Sequence, residues 1–377
     1  MDFGFSENQR EVQQLARQIL SEQVTAEKLA QYDNYASHRF DRDLWQQLSA
    51  SGLLGVAIEE AHGGMGFGFF ELALLIEEAG RVLAPLPLIP HAVSASQAVQ
   101  KFGSEQLKAE LLPGCADGSL VLSAALANDP TSRLPEAVAD GDGYKVSGEI
   151  LPVPYAKDAH RILVPAQCEG GIALLLVDPA AAGVTLTEVN YTTYEPLFAL
   201  GLDGVVVDGG QVLAGSVSGS GSDEDALGWV TERTVAALCA HQLGITDVAM
   251  RMTASYTAER EQFGVPIATF QAVGHRAANC FIDVECLRLN TYQAVSLLDM
   301  GQPATTEVQV AKVWAGDVGH RVSYASQHLH GGTGIDRDYP LWRFCLWARH
   351  NEAALGGSAR QLADLGKRIA AGEAYCS

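Results

Sequence analysis

The stretch Tyr256-Thr257-Ala258-Glu259-Arg260-Glu261-Gln262-Phe263-Gly264-Val265-Pro266-Ile267-Ala268-Thr269-Phe270-Gln271 joins two long helical patterns and decides how the chain is read. Apolar residues recur at helical spacing before it, over roughly Ala226–Glu259, and after it, over Thr269–Leu298. Between them a helix ends in an Arg, a Gly follows where the chain must turn, and a second helix starts at the Phe-Gln pair. Helical patterns Thr306–His328 and Leu341–Ala371 follow, with Gly-rich breaks, which predicts a C-terminal bundle. An Arg at such a corner can fork onto a pyrophosphate, and the neighbouring Phe can flank a planar ring. By composition alone the same residues also fit a surface Arg beside a buried Phe.

Working outward from that corner, the texture of the chain changes twice. From about Leu120, short apolar or alternating runs (Val121–Leu126, Tyr144–Ile150, Arg161–Val164, Ile172–Val177, Gly204–Val207) are divided by Gly, Asp and Pro, which predicts strands. Before them, Val12, Leu15, Ala16 and Leu20 fall at helical spacing, and similar patterns occupy Leu44–Leu54, Phe70–Gly80 and Gln106–Leu112. Breaks at His62-Gly63-Gly64 and Ala84-Pro85-Leu86-Pro87 separate those helices. The polar, acidic Val217–Asp225 stretch reads as a linker. The fold class is therefore mainly α with an inserted β domain: an N-terminal helical domain over 1–118, a middle β domain over 119–222 and a C-terminal helical bundle over 223–377.

Composition narrows the function. With 377 residues and 47% hydrophobic content the chain can bury more than one core. Its formal charge of -20, from 45 acidic and 25 basic residues, opposes binding to a phosphate backbone, so nucleic acid is not an expected partner. Any cofactor phosphate must be met by local donors. The seven cysteines show no CxxC spacing and read as reduced thiols, for which the cytoplasm is the simplest compartment. No metal site is expected. The longest apolar run, Ile172–Val177, is far too short to span a bilayer, so no membrane insertion is expected.

The quoted stretch resembles the R-x-Q-F-G-x-P-I…F-Q signature of acyl-CoA dehydrogenases. His330-Gly331-Gly332-Thr333-Gly334-Ile335-Asp336-Arg337-Asp338-Tyr339-Pro340 is similar to that family's Q-x-H-G-G-x-G…P segment, whose glycines let backbone approach the diphosphate and ribose of a flavin. Leu48–Gly55 with Glu60–Gly66, and Phe102–Gln106 with Leu112-Pro113-Gly114, match further family stretches, so the likeness covers most of the chain. It implies the family fold, FAD as cofactor, an acyl-CoA substrate, an electron-transfer acceptor, and α,β-dehydrogenation in which a carboxylate takes the α-proton while a hydride leaves the β-carbon. It also implies cofactor-binding roles for Arg260, Gln262, Phe263, Phe270, Gln271, Gly331 and Gly332. His328 stands at the place of the family's Gln.

Three departures from the family are concentrated in one functional half. The family's usual base is the Glu of an E-G-T-x-Q segment fifteen residues after the motif's Pro; here that position is Leu355, in Ala354-Leu355-Gly356-Gly357-Ser358-Ala359. A minority of members place the base twenty-six residues before the motif Arg, and here that position is Thr234. Glu232 lies two residues away, about 200° around a helix. The middle-domain segments that cover the flavin ring, T-E-P-x-x-G-S-D and W-I-T/S, are replaced by Ala127-Asn128-Asp129-Pro130-Thr131-Ser132-Arg133 and Glu149-Ile150-Leu151-Pro152-Val153-Pro154-Tyr155. In the family these lost features belong to one subunit of a dimer, while the Arg corner and the Gly-rich loop come from its neighbour. The pattern resembles the α2β2 acyl-CoA dehydrogenases of bacterial steroid catabolism, with this chain as the non-catalytic subunit, no catalytic residue of its own and a homologous subunit as partner. Two alternatives stay open: a self-sufficient homo-oligomer using Glu232, and a flavin-free scaffold that kept the fold.

Overall fold

The computed structural model describes residues 4–126, 133–214 and 225–372. The Ala127–Ser132 segment and, apart from Asp225, the expected linker lie outside the described residues.

The N-terminal helices are α1 (Glu7–Gln23), α2 (Ala26–Ala30), α3 (Arg42–Ala50), α4 (Phe69–Val82), α5 (Ser96–Phe102) and α6 (Glu105–Ala116), with a π-helical turn over Ile89–Ala95. In α1 the buried stripe is Val12, Ala16 and Leu20, at strict four-residue spacing; Leu15 falls outside it and is exposed. Side-chain caps start α1, α2, α3 and α6: Ser6 accepts from the Gln9 N–H, Thr25 from the Lys28 N–H, Asp41 from the Leu44 N–H and Ser104 from the Leu107 N–H. The helix expected over Leu44–Leu54 stops at Ala50, because Gly52 adopts a left-handed φ of 78° and a 3-10 turn over Leu53–Gly55 follows.

The strands are β1 (Leu122–Ala124), β2 (Glu136–Asp140), β3 (Gly143–Pro154), β4 (Arg161–Cys168), β5 (Gly171–Val177), β6 (Val184–Val189), β7 (Leu197–Val207) and β8 (Val212–Ala214). They form one sheet in the order β6-β7-β3-β2-β4-β5-β8, with β1 parallel to β4. Val146, Ile150, Val153, Ile162, Val164, Val177, Phe198 and Leu200 fill its core, each contributing about 1.5–3 kcal/mol by leaving water. Strand β7 begins at Leu197, seven residues before the expected Gly204: Ala199 and Gly201 interrupt the apolar pattern, but the segment pairs with β6 on one side and β3 on the other. The β3–β7 register shifts between Ile150 and Val153, where Pro152 has no N–H to offer the ladder.

The remaining elements are α7 (Ala226–Glu259), the two-residue strands β9 (Glu261–Gln262) and β10 (Val265–Pro266), α8 (Gln271–Asp299), α9 (Thr305–His330), α10 (Leu341–Ala353) and α11 (Ser358–Ala370). The single helix expected over Leu341–Ala371 is two helices: Leu355 and Gly356 take φ values of 52° and 91° and end the helical path. The chain packs as two compact units. One comprises Met1–Ile19, Leu29–Leu72 and Pro85–Thr234; the other comprises Leu20–Lys28, Ala73–Ala84 and Val235–Ser377. Within the second unit α4 and α7 meet backbone to backbone. A Cβ at Gly80 would stand 2.3 Å from the His241 carbonyl oxygen, and one at Gly244 2.1 Å from that of Glu77. Among the described residues no helix is long and apolar enough to cross a membrane, and no cluster of His, Cys, Asp or Glu could hold a metal ion.

Candidate functional site

Helix α7 ends at Glu259, and Arg260 follows with its N–H still bonded to the Tyr256 carbonyl at 2.8 Å. Strands β9 and β10 then make a minimal hairpin, with Gln262 opposite Val265. Its two-residue loop is Phe263-Gly264, at φ values of 56° and 80°. A primed turn of this kind demands positive φ at both positions, which suits Gly264 and costs Phe263 about 1–2 kcal/mol. The strain holds Phe263 out at the apex, 94% exposed. Phe270 lies edge-on to it at 6.2 Å and precedes Gln271, the first residue of α8. Sequence-close residues Arg260, Gln262, Phe263, Phe270 and Gln271 thus share one exposed corner beside the positive end of a long helix. Among the described residues Arg260 has no ion-pair partner.

The second group of expected residues stands at the end of α9. Gly331 has φ 60° and ψ -134°, a combination essentially restricted to glycine. Gly332 needs no positive φ, and a Cβ at either position would meet nothing within 4 Å. The protein's own packing therefore gives no reason for glycine at 332, and its backbone is open to close approach. His328 is exposed, and its Nδ1 accepts from Arg276 at 2.7 Å, which leaves Nε2–H pointing elsewhere as a donor. Arg276, on α8, was not singled out in the sequence: it lies 52 positions from His328, with no local signal linking them. The two groups are connected through Tyr256, whose ring stacks on His330 at 4.2 Å. An exposed, unpaired guanidinium, a second cation, open glycine backbone and exposed aromatic faces fit a cofactor that carries a diphosphate and a planar ring.

Neither position at which the family carries its base holds a carboxylate. Leu355 sits in a loop fixed by the Gln361 amide on its carbonyl at 3.2 Å and by Ser358 Oγ on the Val313 carbonyl at 3.2 Å. No residue from Ala353 to Ala359 is ionisable. Of the flanking acids, Glu352 pairs with Arg349 and Asp364 with Arg360 and Lys367. Thr234 is 5% exposed and its hydroxyl meets that of Ser94 at 2.8 Å, a pair unable to take a proton at neutral pH. Helix α7 runs without interruption through both residues, so Glu232 does not slip into the register of Thr234, and it is half-buried. At the β3 bulge, where the family's ring-covering Trp segment would stand, Leu151 is 41% exposed.

Two family models match the chain: the acyl-CoA dehydrogenase N-terminal domain over residues 6–119 and the acyl-CoA dehydrogenase C-terminal domain over residues 230–370. This chain belongs to the acyl-CoA dehydrogenase family. It is 34% identical to acyl-CoA dehydrogenase FadE27 of Mycobacterium tuberculosis, over 98% of this chain and 99% of that one. It is 30% identical to FadE28 of the same organism, over 91% and 97%. Among solved structures, the ChsE4-ChsE5 complex from Mycobacterium tuberculosis matches with a TM-score of 0.93 and 34% identity over 100% of both chains. The Tcur3481-Tcur3483 steroid acyl-CoA dehydrogenase variant matches with a TM-score of 0.90 and 39% identity over 98% and 99%. Acyl-CoA dehydrogenases are FAD-dependent oxidoreductases, and the helix–sheet–helix order read from the sequence is their fold.

Proposed function

We propose that this acyl-CoA dehydrogenase chain is the non-catalytic subunit of a heteromeric enzyme, completing the FAD site of a homologous subunit that carries the catalytic Glu. The observation that carries this reading is the asymmetry of the site. The exposed corner is kept, while both base positions are filled by groups that cannot accept a proton, Leu355 and Thr234. Bound FAD supplies a hydride acceptor for the substrate's β-carbon. The residues of this chain would do the holding: Arg260, with the N-terminal amides of α8, would neutralise the diphosphate, and Gln262 and Gln271 would offer side-chain amides. Phe263 and Phe270 would flank a planar ring, Gly331 and Gly332 would let backbone approach the diphosphate and ribose, and His328 would donate from Nε2.

The substrate proposed is a bulky acyl-CoA thioester, with a steroid side chain as the leading class, and the assembly an α2β2 heterotetramer that passes electrons to a separate acceptor in the cytoplasm. Support comes from two similar structures, the ChsE4-ChsE5 complex and the Tcur3481-Tcur3483 steroid acyl-CoA dehydrogenase. The test is flavin absorbance of the chain purified alone and co-expressed with its homologous subunit, followed by anaerobic titration with a CoA thioester. Flavin present only in the co-purified complex, bleached by substrate and indifferent to Glu232→Gln, is expected. A yellow, bleachable protein alone would overturn the reading and favour the homo-oligomer; no flavin in either preparation would favour the scaffold.

A further inference from the structure

The Gly-rich turn over Gly331–Ile335 has open space above its first two residues, so packing on that side does not hold it. What fixes it lies at its two ends. His330, 3% exposed, spends both ring nitrogens and one ring face on three different elements. Its Nδ1–H donates to the Ser326 carbonyl at 2.8 Å, within α9. Its Nε2 accepts from the Tyr339 hydroxyl at 3.1 Å, at the far end of the turn. Its face stacks on Tyr256 of α7 at 4.2 Å and 24°. Tyr256 in turn reaches the turn itself, with its hydroxyl 3.4 Å from the His330 carbonyl oxygen and 3.5 Å from Thr333 Oγ1. Tyr256 is one helical turn before Arg260 and accepts the Arg260 N–H on its carbonyl. Any shift of the His330 ring therefore moves the Arg corner and the glycine turn relative to each other.

We infer that Tyr256, His330 and Tyr339 form a positioning clamp that sets the separation of Arg260 from the Gly331–Gly332 backbone, and thereby the affinity for a dinucleotide diphosphate that none of the three touches. The inference rests on the proposed cofactor role of the corner. A histidine is required because no other side chain combines a flat stacking face with one donor and one acceptor on opposite edges. Phe keeps only the face; Gln keeps only hydrogen bonding.

The test measures FAD affinity, by quenching of flavin fluorescence on the apo-complex of this chain with its homologous subunit, alongside the urea midpoint of each variant. Tyr256→Phe, the mild variant, keeps the stack and loses the two long hydroxyl contacts; a two- to fivefold weaker affinity with an unchanged midpoint is expected. His330→Leu is expected to weaken FAD at least tenfold, with His330→Phe and His330→Gln each recovering only part. Hydrogen exchange at Gly331–Gly334 and at the Glu261–Val265 hairpin should rise together in His330→Leu, while that of α11 stays unchanged. Arg260→Ala separates the two ideas. If it leaves FAD bound, the cofactor role of the corner fails. If it releases FAD while Tyr256→Phe and His330→Leu bind as tightly as the wild type, the corner stands and the clamp is overturned.

Discussion

The second compact unit, which includes Ala73–Ala84 of α4, contains two clusters rich in charged and aromatic groups, one closed and one open. In the closed one, Asp247 of α7 is fully buried and bonded to Arg81 of α4 at 2.6 Å, to Arg251 at 2.8 Å and to Arg288 of α8 at 3.1 Å. Glu77 accepts from the Tyr292 hydroxyl at 2.7 Å and has Arg81 and Arg288 at 3.4 Å. In the open one, Arg260 has no ion-pair partner among the described residues, Phe263 is 94% exposed on a strained turn, and Gly331 and Gly332 face empty space. Charges satisfied inside the protein fix three helices against each other. Groups left unsatisfied at its surface cost stability, and the proposed cofactor role supplies the reason to keep them.

Substitution should separate the two clusters sharply. Asp247→Ala leaves three guanidinium groups without their shared carboxylate, and breaking a buried pair of this kind costs about 3–5 kcal/mol. A large fall in the urea midpoint is expected; a fall within about 0.5 kcal/mol would mean the cluster is solvated and structurally idle. Arg260→Ala should do the reverse. Unfolding should change by less than about 0.5 kcal/mol, while FAD affinity falls by roughly 1.5–3 kcal/mol, the worth of hydrogen bonds to a charged group. Equal losses in both measurements would erase the distinction.

The open corner was legible in the sequence and the closed cluster was not, for reasons of distance along the chain. Arg260, Gln262, Phe263, Gly264 and Phe270 are spelled out within a few residues, where a turn, a proline and two helix ends leave local signs. Asp247, Arg81 and Arg288 come together across 166 and 41 positions, and Tyr256 reaches His330 across 74; each reads singly as an ordinary helix residue. Within the fold, long amphipathic helices and apolar strands were readable. Strand β2 buries only Ala137, so no alternation marked it, and the break between α10 and α11 rests on the backbone of Leu355, a residue that propensity alone would keep helical. That Leu355 and Thr234 stand at the two places where the family carries its base was readable because register from Pro340 and Arg260 is a matter of counting.

Phe263→Asn sharpens the comparison further, because it should improve one property at the expense of the other. Asn tolerates a left-handed φ and is favoured beside Gly in a two-residue hairpin loop, so the turn should gain about 0.5–1 kcal/mol. FAD affinity should drop as an aromatic face is lost. A variant that is both less stable and unchanged in affinity would show that Phe263 is held by the fold and not for a ligand.

The smallest effect comes from inside the closed cluster, where two carboxylates shift in opposite directions. Burial pushes Glu77 above its ordinary 4.5, and the Tyr292 hydrogen bond and the more distant Arg81 and Arg288 offset it only in part. Burial also acts on Asp247, but the close Arg251 and Arg81 outweigh it and hold that carboxyl below 3.8. The signs follow by linkage. Asp247 contributes stability above pH 3.8 that is lost as pH falls through its lowered folded value. Glu77 does the opposite: its contribution is whole below pH 4.5 and is lost as pH rises through its raised folded value. Glu77→Gln can still accept from Tyr292 but cannot ionise, so the decline on the alkaline side of pH 4.5 should flatten while the acid limb set by Asp247 remains. Urea midpoints across that range decide it, and curves for wild type and variant that run parallel would mean that Glu77 is ionised as freely in the folded chain as in the unfolded one.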